Sequence, residues 1–166
     1  RVMFQEDRSY STSDRMQEAT NSGCTTAFTS RGNVMPIKNV FIKAKTLAAH
    51  QQLSYETLVG AWLLGDGWEV FYPAIDHGAK TDLVVGYNKL LYRIQVKSVE
   101  SAEEEIKVDN KWKGVDIDYV VYFSRQGDWG YVAPAFKQNQ KRINSPEHRR
   151  FQKTNQAEFL AAFESV

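Results

Sequence analysis

Asp82, Gln95 and Lys97 are the residues of this chain whose types and spacing could do chemistry together. They lie in two short runs of apolar, β-branched and aromatic residues, Thr81–Val85 and Leu90–Val99, joined by Gly86-Tyr87-Asn88-Lys89. That pattern predicts a β-hairpin with a tight turn. Side chains alternate along a strand, so Tyr92, Ile94 and Val96 share one face, and Arg93, Gln95 and Lys97 the other. The turn folds Asp82 back to the level of Gln95 and Lys97, so that a carboxylate, an amide and an ammonium converge on the polar side. A hard divalent cation takes oxygen ligands, which Asp82, the side-chain carbonyl of Gln95 and the backbone carbonyl of Val96 can supply. Lys97 would orient or polarise an attacking water and offset charge on a scissile phosphate. The same residues also describe an amphipathic hairpin whose polar face is simply wet, with Lys97 a solvated edge charge.

The elements that must position these groups can be read along the chain. Thr46 to Leu64 is rich in Ala, Leu and Gln and predicts a helix, stopped by Gly65-Asp66-Gly67. Leu58 and Trp62, one turn apart, mark its buried side, and Glu56 points partly inward, where an acid needs a partner or a metal. Trp68 to Tyr72 predicts a strand that ends at Pro73. A loop follows with His77 and Lys80, placed where substrate phosphates would approach. Ser101 to Gly114 is a charged connector in which Lys107, Lys111 and Lys113 flank Trp112, fit either for pressing on nucleic acid or for a solvated loop. Asp118–Ser124 and Gly130–Pro134 bracket the turn Arg125–Asp128 and complete a mixed sheet of about five strands. Phe159, Leu160 and Phe163 recur at helical spacing between Asn155 and Val166, predicting a terminal amphipathic helix.

Residues 1 to about 33 are rich in Ser, Thr, Asn and Gln without a sustained period and predict a loop-like arm. Cys24 in this arm has no assignable base and is expected to be incidental. Asn33–Lys43 carries a short apolar stretch punctuated by Pro36, either a strand or a clamp. The expected organisation is an arm or extension over residues 1–45 and one domain over 46–166.

Composition narrows the function classes. The chain has 166 residues, and its 42% hydrophobic content suffices for a core. A single Cys excludes a disulfide framework and a Cys-rich zinc site within one chain, and points to a reducing, cytoplasmic setting. No apolar run approaches a membrane span, and no membrane partner is expected. Net charge is only +1, but six Lys or Arg residues between Lys137 and Lys153 face one acid, Glu147. Lys141, Arg142, Arg149 and Arg150 in this stretch are candidate phosphate contacts, beside Lys80, Lys111 and Lys113.

The arrangement from Leu53 to about Phe136 resembles the PD-(D/E)xK nuclease superfamily. Its helix glutamate corresponds to Glu56, its aspartate to Asp82, its D/E position to Gln95 and its lysine to Lys97. Thr81 stands where the family name has Pro, and Gln95 replaces the usual acid, removing one negative charge. Thr81-Asp82-Leu83-Val84-Val85 followed by Leu90–Ser98 is most similar to the QxK branch, which holds group I intron-encoded homing endonucleases. The resemblance implies a restriction-endonuclease-like α/β fold, a mixed sheet flanked by helices. It also implies a Mg²⁺-dependent endodeoxyribonuclease in which Mn²⁺ substitutes, Glu56, Asp82, Gln95 and Val96 as metal ligands, and Lys97 assisting water. Double-stranded DNA would be cut to 5′-phosphate ends by a homo-oligomer. A junction resolvase, a restriction-type enzyme, or a DNA-binding module that keeps the fold without the chemistry are the alternatives.

Overall fold

The computed structural model describes residues 41–75 and 78–166. The expectations for the N-terminal arm, Cys24, the Pro36 segment and His77 lie outside the described residues. Helix α1 runs from Ala44 to Gly65, and its buried residues, Val59, Gly60, Trp62 and Leu63, fall in its second half. It ends in a Schellman arrangement. Trp68 N–H donates to the Leu63 carbonyl and Gly67 N–H to that of Leu64, with Gly67 at φ +96°, a conformation that suits glycine.

Strand β1 (Glu69–Phe71) then pairs antiparallel with β2 (Leu83–Tyr87), and β2 with β3 (Leu90–Val99). The hairpin turn is tighter than the sequence suggests. Gly86 and Tyr87 stay in the strand, and only Asn88 and Lys89 turn, at φ 48° and 71°. Two consecutive positive φ values make the two-residue turn whose twist matches the flanking strands.

Beyond β3 come β4 (Lys107–Asp109), β5 (Tyr119–Ser124), β6 (Trp129–Pro134), β7 (Gln140–Arg142), β8 (Arg149–Gln152) and α2 (Gln156–Glu164). The main sheet has six strands in the order β1-β2-β3-β5-β6-β8, and only the β3–β5 pair is parallel. This is the mixed α/β architecture of the restriction-endonuclease-like expectation, with one strand more than the five anticipated. The extra strand, β8, and the polar β7 come from the stretch read as a basic tail. Phe151 is the only large apolar residue of β8, and it is fully buried.

Alternation divides the sheet into two faces. Ile94, Val96, Val121, Phe123, Val132 and Phe151 pack with Val59, Trp62 and Leu63 of α1 and Phe159 and Phe163 of α2, so both described helices cover one face. The opposite face carries Val120, Tyr122, Tyr131 and Ala133, which pack with Val108, Trp112, Phe136 and Ile143. There β4 and β7 pair as a separate two-stranded sheet in place of a helix. Helix α2 is capped by Asn155, whose side chain accepts from Glu158 N–H while its amide donates to the Glu158 carboxylate.

Two positions in this core lead to measurable expectations. Gly130 pairs with Phe151 across β6 and β8, and a Cβ built on it would come within 2.2 Å of the Phe151 ring. Neither ring nor backbone can move aside within this cluster, so Gly130→Ala should lower stability by about 1–3 kcal/mol. Gly60→Ala, whose Cβ meets the end of the exposed Tyr72 side chain, should be far milder. Urea denaturation of both variants checks the contrast.

His148 is buried against Phe136, and its Nδ1 lies 2.7 Å from the Ile143 carbonyl. A carbonyl only accepts, so Nδ1 carries the proton, and Nε2 is left buried without a partner among the described residues. Burial, with Lys141 nearby, lowers the imidazole pKa below its ordinary 6.5, against smaller opposing effects from Ile143 and Glu147. The unfolded chain therefore takes up this proton first. Stability should fall as pH drops below about 6.5. The ion pair of Glu104 with Arg150, which lowers the Glu104 pKa from 4.5, should give way only in a more acidic window. Thermal unfolding between pH 7.5 and 5 should lose its slope in His148→Gln.

Candidate functional site

The site is built where β3 outruns β2. The last register pair is Leu83 with Ile94, and Asp82 N–H still donates to the Ile94 carbonyl at 3.0 Å. From Val96 onward, no strand pairs with β3 on that side among the described residues, whereas β5 holds the other side through Val99. Backbone groups on such an edge need partners. Side chains supply them. Val96 N–H donates to Asp82 Oδ2 at 2.6 Å, and the Val96 carbonyl accepts from Gln52 Nε2 at 2.8 Å. One residue pair on, Ser98 N–H donates to Gln52 Oε1 at 3.2 Å.

Gln52 also donates from Nε2 to Glu56 Oε1 at 3.0 Å, one helical turn along α1. Asp82 directly, and Glu56 through Gln52, are thereby tied to the two backbone groups of Val96. The regular register ends at Leu83 with Ile94, and Asp82 N–H turns to the Ile94 carbonyl, so the expected level pairing of Asp82 with Gln95 gives way to a bulge in which the Asp82 carboxylate reaches Val96 N–H.

Gln95 is only 1% exposed, and its Oε1 has no partner among the described residues. Tyr122, beside Lys97 across the parallel β3–β5 register, has a similarly unpartnered buried hydroxyl, and burial raises its pKa so that it stays neutral. Lys97 is partly exposed on the Gln95 face. The oxygens of Asp82, Glu56, Gln95 and the second lone pair of the Val96 carbonyl match the preferences of a hard divalent cation. The orphaned Gln95 oxygen is the observation that such a ligand would satisfy. Among the described residues, no group of three or more His, Cys, Asp or Glu gathers to hold a metal.

The remaining candidates sit apart. Lys80 is exposed at φ 55°, two residues before Asp82. Lys111 pairs with Asp109 at 3.0 Å, and Lys113 and Lys137 line an open cavity of about 400 Å³ with Trp112 and Phe136. Lys141 pairs with Glu147 and lies over the Phe136 ring. Arg150 binds Glu104, which also accepts from the Tyr131 hydroxyl, and Arg149 donates to the Pro146 and Ser165 carbonyls. Burial, reinforced by Glu104, pushes the Tyr131 phenol up to about 12. Arg142 is exposed on β7. Strand β8 lies three strands from β3, about 14 Å across the sheet.

Sequence reading missed Gln52. Its signal was its place one turn before Glu56 on a helix expected to face the site. No helix among the described residues is long and apolar enough to cross a membrane.

No family model and no curated protein matches the chain. Among solved structures, the chain is similar to that of a bacterial homing endonuclease, I-Ssp6803I, with 22% identity and a TM-score of 0.46 over 64% of this chain and 79% of that one. It is also similar to Hjc, a Holliday junction resolvase from the archaeal hyperthermophile Archaeoglobus fulgidus, with 12% identity and a TM-score of 0.39 over 63% of this chain and 85% of that one.

Proposed function

We propose that the chain is a metal-dependent endodeoxyribonuclease that hydrolyses phosphodiester bonds in double-stranded DNA. The observation that carries this reading is that Asp82 directly and Glu56 through Gln52 are tied to the backbone of Val96 at the β3 edge, next to the buried Gln95, whose oxygen has no partner among the described residues, and to Lys97 two residues on from it. Asp82, Glu56, Gln95 and the Val96 carbonyl would hold Mg²⁺ or Mn²⁺. When bound, such an ion supplies positive charge to the phosphate and lowers the pKa of water. The Val96 N–H fixes one oxygen of Asp82, so the carboxylate is oriented before substrate arrives. Lys97 aims an ammonium at the same face, where it stabilises negative charge developing on phosphorus oxygens and holds the attacking water. Lys80, Lys113 and Arg142, which are exposed, would contact phosphates, whereas Lys111, Lys141, Arg149 and Arg150 would do so only by sharing or leaving the partners that hold them in the fold. Within this class the Gln95-Val96-Lys97 sequence favours a sequence-recognising, homing-type enzyme acting as a homo-oligomer. Cleavage of a random-sequence duplex library beside branched junctions separates it from a resolvase. Inertness with both metals would leave a DNA-binding module.

Asp82 has a structural and a chemical duty, and two substitutions separate them. Asp82→Asn keeps an oxygen for Val96 N–H and loses the charge, so it should fold with near-parental stability and fail to cut. Asp82→Ala also strands a partly buried N–H and should be about 1–3 kcal/mol less stable besides being inactive. Parental cleavage rates in highly purified Asp82→Asn would place the chemistry elsewhere.

Gln95→Glu places a carboxyl at a position almost without solvent. Burial raises the pKa of such an acid, and a bound cation lowers it again. Mg²⁺ should therefore raise the melting temperature of Gln95→Glu more than that of the parent, and Gln95→Ala should bind Mg²⁺ more weakly than either. Calorimetric titration and thermal melts with and without Mg²⁺ read both effects.

A further inference from the structure

We infer that Gln52 is the positioning residue of the site, fixing both the Glu56 carboxylate and the Val96 peptide; the inference rests on the endonuclease reading. The geometry assigns every hydrogen-bonding capacity of its amide. Nε2 donates to the Val96 carbonyl at 2.8 Å and to Glu56 Oε1 at 3.0 Å. Oε1 accepts from Ser98 N–H at 3.2 Å and from Ser98 Oγ at 3.0 Å. A terminal amide has two donor hydrogens and two acceptor lone pairs, and all four are used. The orientation is not arbitrary, because a backbone N–H can only face the oxygen and a backbone carbonyl only the nitrogen.

Gln52 thus stands in for a peptide group of the absent neighbouring strand, presenting a donor and an acceptor to the Val96 carbonyl and the Ser98 N–H. No other side chain of similar size does both while reaching back to Glu56. Glutamate has no donors, asparagine is a methylene shorter, and methionine has neither function. The bridge continues beyond the site. Ser98 Oγ accepts from Arg125 Nε at 2.9 Å, and Arg125 pairs with Glu100, so the position of α1 against β3 is tied to the turn that follows β5.

Glu56 depends on this bridge because it lies on a helix and not on the sheet that carries Asp82 and Gln95. Partners that orient metal ligands from behind typically change metal affinity or activity 10–100-fold when removed. Gln52→Met keeps the length of the stem and removes both polar functions. Mg²⁺ affinity measured without DNA should fall about tenfold, single-turnover cleavage should slow about 10–100-fold, and DNA affinity in Ca²⁺ should stay within about threefold of the parent. Exchange of the Ser98 amide hydrogen should accelerate. A purely structural role would not lower metal affinity at an unchanged melting temperature. Gln52→Glu is the second variant. It keeps the acceptor for Ser98, so that amide stays protected, and it loses both donors, so cleavage should still slow.

A parent that binds Mg²⁺ and cuts DNA, with both variants folded and within twofold of it in metal affinity and rate, overturns this inference alone. A parent that neither binds Mg²⁺ or Mn²⁺ nor cuts duplex or branched DNA overturns the endonuclease reading, and the site role of Gln52 with it.

Discussion

The backbone N–H and carbonyl of Val96, which no strand among the described residues pairs at the edge of β3, are the constraint from which the arrangement follows. Where β2 stops, β3 continues with one side held by β5 and the other in need of donors and acceptors. Water or another strand could meet that need. Here Asp82 and Gln52 meet it with a carboxylate and an amide. The consequence is chemical as well as structural, because an aspartate recruited to accept from an N–H is also an aspartate held in place. The same strand end that would otherwise invite edge-to-edge pairing gathers the charged groups.

Gln95 is drawn into this arrangement from the other face. Strand alternation sends Val96 toward the helices and Gln95 toward the side where Val120 and Tyr122 join the second apolar cluster. Covering that side with β4 and β7 lets the connector run close over the sheet, with Glu104 tied to Tyr131 and Arg150. Those ties also explain the basic stretch after Lys137. Much of its charge is engaged within the fold, by Glu147 and Glu104, and its strands β7 and β8 are polar because one is short and the other lies at the edge of the sheet.

What was legible in the sequence followed physical periodicity. The hairpin alternates cleanly, so its two faces could be read directly. The helix end at Gly65-Asp66-Gly67 carried its own signature, and the spacing of Phe159, Leu160 and Phe163 marked the last helix. The turn was read too long because Gly86 suggested a break, whereas it lies opposite Leu91 with Glu69 close by, where a larger side chain would crowd. Strand β8 was missed because a single buried aromatic does not make an alternation. Gln52 was missed for a deeper reason. Its role depends on a strand edge 44 residues away in the chain, and no local pattern encodes a tertiary hydrogen bond.

A glutamine at position 95, in place of an acid, has a physical logic in this packing. A carboxylate that is almost wholly removed from solvent costs several kcal/mol unless a cation or donors compensate it, whereas a neutral amide costs only its unmet hydrogen bonds. With glutamine the strand can pack and the β3–β5 register can close before any metal is present, and the price is one unsatisfied carbonyl oxygen. In the proposed metal site, folding and metal loading would be less strongly coupled than with a third acid beside Asp82 and Glu56. The loss is electrostatic. A site with two carboxylates attracts a divalent cation less than one with three, and positioning must supply what charge does not. In the proposed site, the ordered Asp82 carboxylate and the fully bonded Gln52 amide would then matter more than they would in an all-acid site.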